Sequence, residues 1–364
     1  MILKIRNLFR DNMPAIKVWL IFTIILTSLP FILYVLGLSS NLPFTFRTYL
    51  FDFWGYFWDG SHYIYISQYG YKFPLQAFFP GYPLLLKLLN YVIPLSAAYR
   101  VNYLITFLMI VSLYKFMDLL EIKPVNKLKS LILFLAYPTS FFFLANYTES
   151  LYILLSIWAL IFLKRGDYLK ASVVNFFLGT IKISSVIFPI LLTFRFIKQK
   201  YQSLNLRSWL YLAGLNLISV LGILGYFIYL QIYQKGYQIY FKAQAEWGRG
   251  HFSFLTDYIG LQEEFYFERI SEIVIFLLLI YIFVKVYKKV DSEIYAFSLY
   301  HFLLPVLTGT LLSLNRLSLY CFPVLLFMFS KLASNKVAYY LTLIIFIAWQ
   351  LAGIYTFING NFVG

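Results

Sequence analysis

Stretches such as VWLIFTIILTSLPFILYVLGL (18–38), WLYLAGLNLISVLGILGYFIYLQIY (209–233) and VAYYLTLIIFIAWQLAGIYTF (337–357) recur along this chain. Each is long enough, as a helix, to cross the hydrocarbon layer of a bilayer. The 364 residues are 61% hydrophobic and 22% aromatic, with 12% charged side chains and a mean hydropathy of +0.75. A water-soluble fold has no way to hide that much apolar surface, so the fold class is an all-α polytopic membrane protein. A transmembrane barrel fits poorly, because the apolar runs are continuous rather than alternating in segments of about ten residues.

The formal net charge of +15 raises nucleic acid as a partner. The basic residues nevertheless come as short clusters between apolar runs: KIRNLFRDN, KPVNKLK, KRGDYLK, KQKYQSLNLR and KVYKK. Clusters of this kind orient membrane helices by the positive-inside rule and contact anionic lipid, which displaces the nucleic-acid reading. A single cysteine, Cys321, excludes an intrachain disulfide, and no Cys/His spacing resembles a zinc site. The first apolar run follows basic residues Lys4, Arg6, Arg10 and Lys17 and lacks a small-residue cleavage site. It reads as a retained helix rather than a removed signal peptide.

Alternation of the basic clusters orders the spans. The N-terminus is expected in the cytoplasm, with 18–38 crossing outward and a long external segment over 39–96. Within that segment, AFFPGYPLLLKLLNYVI is apolar enough to cross, yet a crossing there would put Lys123, Lys127 and Lys129 outside. The better reading is an interfacial or re-entrant helix begun by Pro80 and Pro83, where a missing N–H costs least. Crossings follow at 97–119, 128–145 and 148–163. Residues 171–197 lie between two cytoplasmic clusters, so parity demands a hairpin of two short helices turning near GTIKIS, with Lys182 at or just below the outer surface. Then come 209–233, a second external loop at 234–270, and spans at 271–287, 293–312, 317–331 and 337–357. The expectation is about eleven crossings in one domain, 1–364, with the C-terminus outside.

On this map the acidic residues Asp52, Asp59, Glu149, Glu246, Asp257, Glu263, Glu264 and Glu268 all fall on the outer side. Ionisable groups near membrane depth are costly unless they pair or line a cavity, so their convergence suggests a site. In FWDGSHYIYISQYGY, Asp59 is either the N-cap of a helix or a general base that accepts a proton from an attacking hydroxyl; in this setting the base is the stronger reading. His62 serves equally well as an interfacial hydrogen bonder or a phosphate partner, and Asp52 reads as a solvated carboxylate. Asn146, Thr148 and Glu149 in NYTES suit the first turn of a helix through its dipole. Trp247 and Arg249 in AQAEWGRGH suit the headgroup level, but Lys182, Arg249 and Arg316 on one face would also hold a lipid phosphate.

As a set, WDGSHYIYISQYGY, AFFPGYPLLLKLL, YPTSFFFLANYTESLYILLSIWAL, AQAEWGRG and LNRLSLYCFPVLL resemble, in order over about 54–327, the PIG-V-type mannosyltransferases and their bacterial relatives. The resemblance implies the GT-C fold, with external juxtamembrane helices in the first loop. It also implies a sugar donor, mannose by the family, carried on a polyprenyl or dolichyl phosphate, and transfer on the extracytoplasmic or lumenal face. Asp59 matches the acidic position that acts as base, and Lys182 sits where relatives carry a basic residue in a short helical hairpin. Two positions depart from the family pattern: Phe57 stands where relatives often have Arg, and TIKIS replaces a Thr-Arg-Pro form.

The resulting expectation is an inverting transfer to a glycolipid, glycan or protein acceptor. Asp59 acts as base with help from Glu149; His62, Lys182, Arg249 and Arg316 hold the donor phosphate; Trp58, Trp247 and Tyr82 bind substrate. No cofactor is required, a divalent metal is not indicated, and no Gly-rich phosphate loop or DxD pair points to a sugar nucleotide. The expected location is a prokaryotic plasma membrane or the ER membrane. A transporter or flippase of lipid-linked substrates predicts charges at mid-span instead of at the outer edge. A non-catalytic glycosyltransferase subunit is the other rival, and it would tolerate loss of Asp59.

Overall fold

The computed structural model describes residues 2–38, 53–56, 58–98, 100–249, 266–360 and 363, and among them it is all-helical apart from turns. Helix α1 (Ile2–Val35) is followed by α2 (Phe53–Tyr56), α3 (Asp59–Tyr69), α4 (Gly81–Asn90) and α5 (Leu95–Ala98) of the first loop. The central helices are α6 (Val101–Leu119), α7 (Pro124–Ala136), α8 (Glu149–Arg165), α9 (Tyr168–Gly179), α10 (Ile187–Lys200) and α11 (Leu206–Tyr233). A short α12 (Gln238–Glu246) precedes α13 (Tyr266–Val286), α14 (Ser292–Leu307), α15 (Leu314–Leu317), α16 (Phe322–Leu332) and α17 (Lys336–Ile358). Among the described residues four helices are long and apolar enough to cross a bilayer: Arg10–Val35 within α1, α6, α11 and α17. Isoleucines 21, 24 and 25 on α1 stay more than half exposed, an arrangement that suits lipid and not water.

Local chemistry explains where these helices begin and end. Pro124 opens α7, and Gly166 closes α8 in the left-handed conformation with its N–H on the Phe162 and Leu163 carbonyls. Asn205 and Asn335 cap α11 and α17, accepting the N–H groups of Ser208 and Ala338. The hairpin expected from charge parity is present as α9 and α10, joined through Lys182 and a 3₁₀ turn over Ile183–Val186. A helix is present where the interfacial one is expected: α4, ten residues starting after Pro80.

Polar pairs gather at the two ends of the bundle. At one end Lys127 meets Asp118, Lys164 meets Asp291, and Arg195 donates to the buried Glu293 at 3.0 Å. At the other end lie Asp59, the start of α8 and the α9–α10 turn. Helix α8 runs from one end to the other, and its 17 residues rise about 25 Å, close to the thickness of a hydrocarbon core.

The first-loop helices are seated on the bundle by close backbone approach. Gly81 N–H donates to the Thr180 carbonyl at 2.6 Å, which fastens α4 to the α9–α10 turn. A Cβ at position 81 would come within 2.7 Å of that carbonyl oxygen and nearer still to the Thr180 hydroxyl. Gly81→Ala should therefore cost about 1–3 kcal/mol through forced displacement. Gly214→Ala, whose Cβ meets open space on α11, should be neutral or stabilising by up to about 1 kcal/mol. Thermal unfolding of both variants in the same detergent checks this: equal midpoints would show that α4 is not held by that contact.

Candidate active site

Asp59 is the first residue of α3, and the N-cap position belongs to Trp58, which makes no capping hydrogen bond with its side chain. The capping role weighed for Asp59 is thereby replaced by an ionic one: Arg316 Nη1 donates to Asp59 Oδ2 at 2.7 Å. Trp58 itself has φ +47°, a conformation that a non-glycine residue holds only when its surroundings impose it. The strained residue thus lies immediately before the carboxylate.

Arg316 continues the chain of charges. Its Nε lies 3.4 Å from Glu149 Oε1, and the same oxygen accepts from Tyr320 at 3.0 Å and from Lys182 Nζ at 3.3 Å. The order is Asp59, Arg316, Glu149, Lys182, with residues from α3, α15, α8 and the α9–α10 turn. Glu149 is fully enclosed at 1% exposure, whereas the Asp59 side chain keeps 17% and that of Lys182 20%. The guanidinium of Arg316 also lies over the rings of Phe142 and Tyr147, at 5.6 and 5.2 Å. Aromatic faces and two carboxylates together make a buried cation tolerable. Oε2 of Glu149 is buried as well.

A second layer holds this chain in place. Asn146 donates to the Gly60 carbonyl at 3.0 Å and accepts from Tyr82 at 2.6 Å, while Tyr63 lies 3.5 Å from Thr148. Tyr82 is completely buried, so it supports α3 from beneath and does not face the site's open side. His62 packs against Phe78 and Trp247, each at a centroid distance of 5.3 Å, and Trp247 Nε1 donates to the Pro74 carbonyl at 3.2 Å. Burial, against the pull of Asp59, lowers the His62 pKa below its ordinary value. That shift favours the neutral ring, which offers a hydrogen bond in place of a charge. Trp58 is partly exposed at 37%.

Arg249 follows α12 and is partly buried. Desolvation, and next the charge of Arg316, weigh against its own charge, while Tyr240, Asp59 and Glu272 favour it. Among the described residues its guanidinium has no carboxylate within ion-pair distance, in contrast to Arg316 and Lys182. Arg316 thus contacts the accessible carboxylate of Asp59, and Lys182 and Arg249 lie near enough to feel its charge. Tyr320 and Glu272 were missed as site residues in the sequence; Tyr320 lies four residues after Arg316 in the same LNRLSLY motif, and Glu272 carries no local signal. Asp52, Phe57, Asp257, Glu263 and Glu264 lie outside the described residues.

These features define the class: an all-helical integral membrane protein with a network of paired charges at one polar end of its bundle. A family model described as Mannosyltransferase (PIG-V) matches residues 38–268, and the chain belongs to that family. The match includes Asp59, Glu149, Lys182 and Arg249 and stops short of Arg316. The chain is also 31% identical over 122 residues to human GPI alpha-1,6-mannosyltransferase 2, a stretch covering 30% of this chain and 25% of the human protein. The matched part therefore spans about a quarter of that relative.

Removing the bridging cation alone should be the most damaging change to this network. Arg316→Met leaves two carboxylates without their shared partner and should cost about 3–5 kcal/mol. Adding Glu149→Gln to the same chain should recover part of that loss. Unfolding midpoints of the single and double variants provide the comparison; a double variant less stable than Arg316→Met would contradict the bridge.

Proposed function

We propose that this protein is a membrane glycosyltransferase that moves mannose from a polyprenyl- or dolichyl-phosphate carrier to an acceptor hydroxyl on the extracytoplasmic face. The observation that carries this reading is the accessible carboxylate of Asp59 paired with Arg316, which leads through Glu149 to Lys182, at the edge of the bundle. An acceptor oxygen attacks the anomeric carbon as its proton passes to Asp59. The bond from that carbon to the phosphate oxygen breaks, and its electron pair remains on the phosphate, where the three cations stabilise it. One displacement inverts the anomeric configuration. The incoming phosphate gives Arg316 a second acceptor and loosens its hold on Asp59 Oδ2. Glu149, enclosed and held by Lys182 and Tyr320, orients the cations, and His62 and Trp247 form a wall beside the base. This chemistry calls for no cofactor.

A lipid-linked donor also needs room for its hydrocarbon chain. A cavity of about 460 Å³ lies between α3, α4, α9 and α11, lined by Tyr71, Pro83, Phe176, Gly222, Gly225 and Tyr226. Its volume is within the range of ligand pockets, about 300–1,000 Å³. Thr180 borders it, two residues before Lys182, so the cavity adjoins the turn that carries one of the cations. In this reading the shorter helices complete about eleven crossings, with the ion pairs around Asp118, Lys164 and Arg195 on the cytoplasmic side.

Two measurements test the proposal. Membranes carrying the protein should transfer label from radioactive polyprenyl-phosphate mannose to lipid or protein acceptors, and Asp59→Asn should lower that transfer by about 10²–10⁴-fold. Equal transfer by the two would remove Asp59 from the chemistry. No transfer by either, with other lipid-linked sugars also supplied, would favour the transporter or subunit readings. Gly225→Leu, which projects a side chain into the cavity, should raise KM for a long-chain donor by about 10-fold and leave a short-chain donor nearly unchanged; equal effects on both donors would remove the cavity from substrate binding.

A further inference from the structure

We propose that Glu272, on α13, is a positioning residue that sets Arg316 in the site. Its side chain is fully buried. Oε1 accepts the backbone N–H of Ser313 at 2.9 Å, and Oε2 accepts from Arg269 at 3.2 Å. Ser313 has φ +65° and is the N-cap residue of α15, the four-residue helix that carries Arg316. A serine adopts that left-handed conformation only when something holds it there, and glycine would adopt it freely.

The connection from Glu272 to the site is continuous. Glu272 fixes the Ser313 N–H, and the Ser313 carbonyl accepts the N–H groups of Arg316 at 3.1 Å and Leu317 at 2.9 Å. The Arg316 side chain then reaches Asp59 and Glu149. Neighbouring bonds fix the same turn from its other sides: Asn315 donates to the Glu268 carbonyl at 3.4 Å, and its own carbonyl accepts from Thr139 at 2.8 Å and Ser318 at 2.6 Å. Of these side-chain bonds, the one from Glu272 is made to the residue in the unfavourable conformation itself.

A neutral acceptor would serve the Ser313 N–H equally well as a hydrogen bond. A carboxylate is costly to bury without a cation, and Arg269 supplies one. The negative charge also acts on Arg249, for which Glu272 is one of the groups that favour the charged form. The principal role assigned here is geometric: a shift of Arg316 by about 1 Å would displace the charge that meets the leaving phosphate, a kind of misplacement that can cost about 10²-fold in rate. The charge of Glu272 adds to this through Arg249.

The inference rests on the proposed transfer reaction for its kinetic test and is independent of it for its structural one. In the structural test, amide hydrogen exchange over 313–317 is compared among the parent, Glu272→Gln and Glu272→Ala in the same detergent. Exchange should be about 10-fold or more faster in Glu272→Ala than in Glu272→Gln, which keeps an acceptor oxygen for Ser313. Equal protection in the two variants would overturn the proposal, whether or not any sugar is transferred.

In the kinetic test, Glu272→Ala should lower kcat by about 10–100-fold with little change in donor KM, and Glu272→Gln should lie within about 3-fold of the parent. Adding Ser313→Gly to Glu272→Ala should restore at least about 5-fold of the lost kcat, because glycine needs no help to hold φ +65°. A general loss of folding would not be repaired by that second change. Failure of the rescue, or a Glu272→Gln variant as impaired as Glu272→Ala, would overturn the positioning role. A parent with no transferase activity would refute the proposed function and leave the exchange result as the judge of this inference.

Discussion

The guanidinium of Arg316, set between Asp59 and Glu149, is the interaction on which the site depends. Two carboxylates held close together without a cation would repel each other and resist ionisation. With Arg316 between them, and Lys182 beyond Glu149, four charged groups settle into a sequence of alternating sign. That order imposes requirements on the fold: α3, α8, the α9–α10 turn and α15 must all converge on one point. The hydrogen bonds of Asn146 to Gly60 and of Gly81 to Thr180 serve that convergence, because each locks a loop segment to a helix end.

Placement at the end of the bundle follows from the cost of charge in lipid. Paired groups survive where helices stop, since their free backbone ends and nearby water share the solvation that hydrocarbon denies them. Breaking the helices is therefore part of building the site. The 3₁₀ segment Ser140–Phe143 places Phe142 beneath the Arg316 guanidinium, and the short α15 brings Arg316 itself back across the bundle end. A continuous span at either place would have carried those residues away from Asp59.

Helix identity and order were legible in the sequence wherever apolar length and charge agreed. The alternation of basic clusters predicts two short helices where α9 and α10 stand, and α4, at ten residues, is shorter than a span. Asp59, Glu149, Lys182 and Arg316 were named individually, since charged residues are few in such a chain and each stands out. Their pairing was not legible: nothing local couples Asp59 to a residue 257 positions away. Tyr82 illustrates the opposite difficulty, for an aromatic in a motif looks the same whether it faces a substrate or, as here, lies buried with its hydroxyl bonded to Asn146. Glu272 escaped notice because its importance lies in a single bond to a backbone N–H, which leaves no pattern in composition or spacing.

The distance along the chain between Asp59 and Arg316 also bears on how the protein is made. A ribosome delivers the first-loop carboxylate early and its cation only after nearly all the membrane helices have been synthesised. Throughout that interval Asp59 lacks the cation that pairs with it in the finished protein. Closure of that pair therefore waits for α15, after which only α16 and α17 remain to be made.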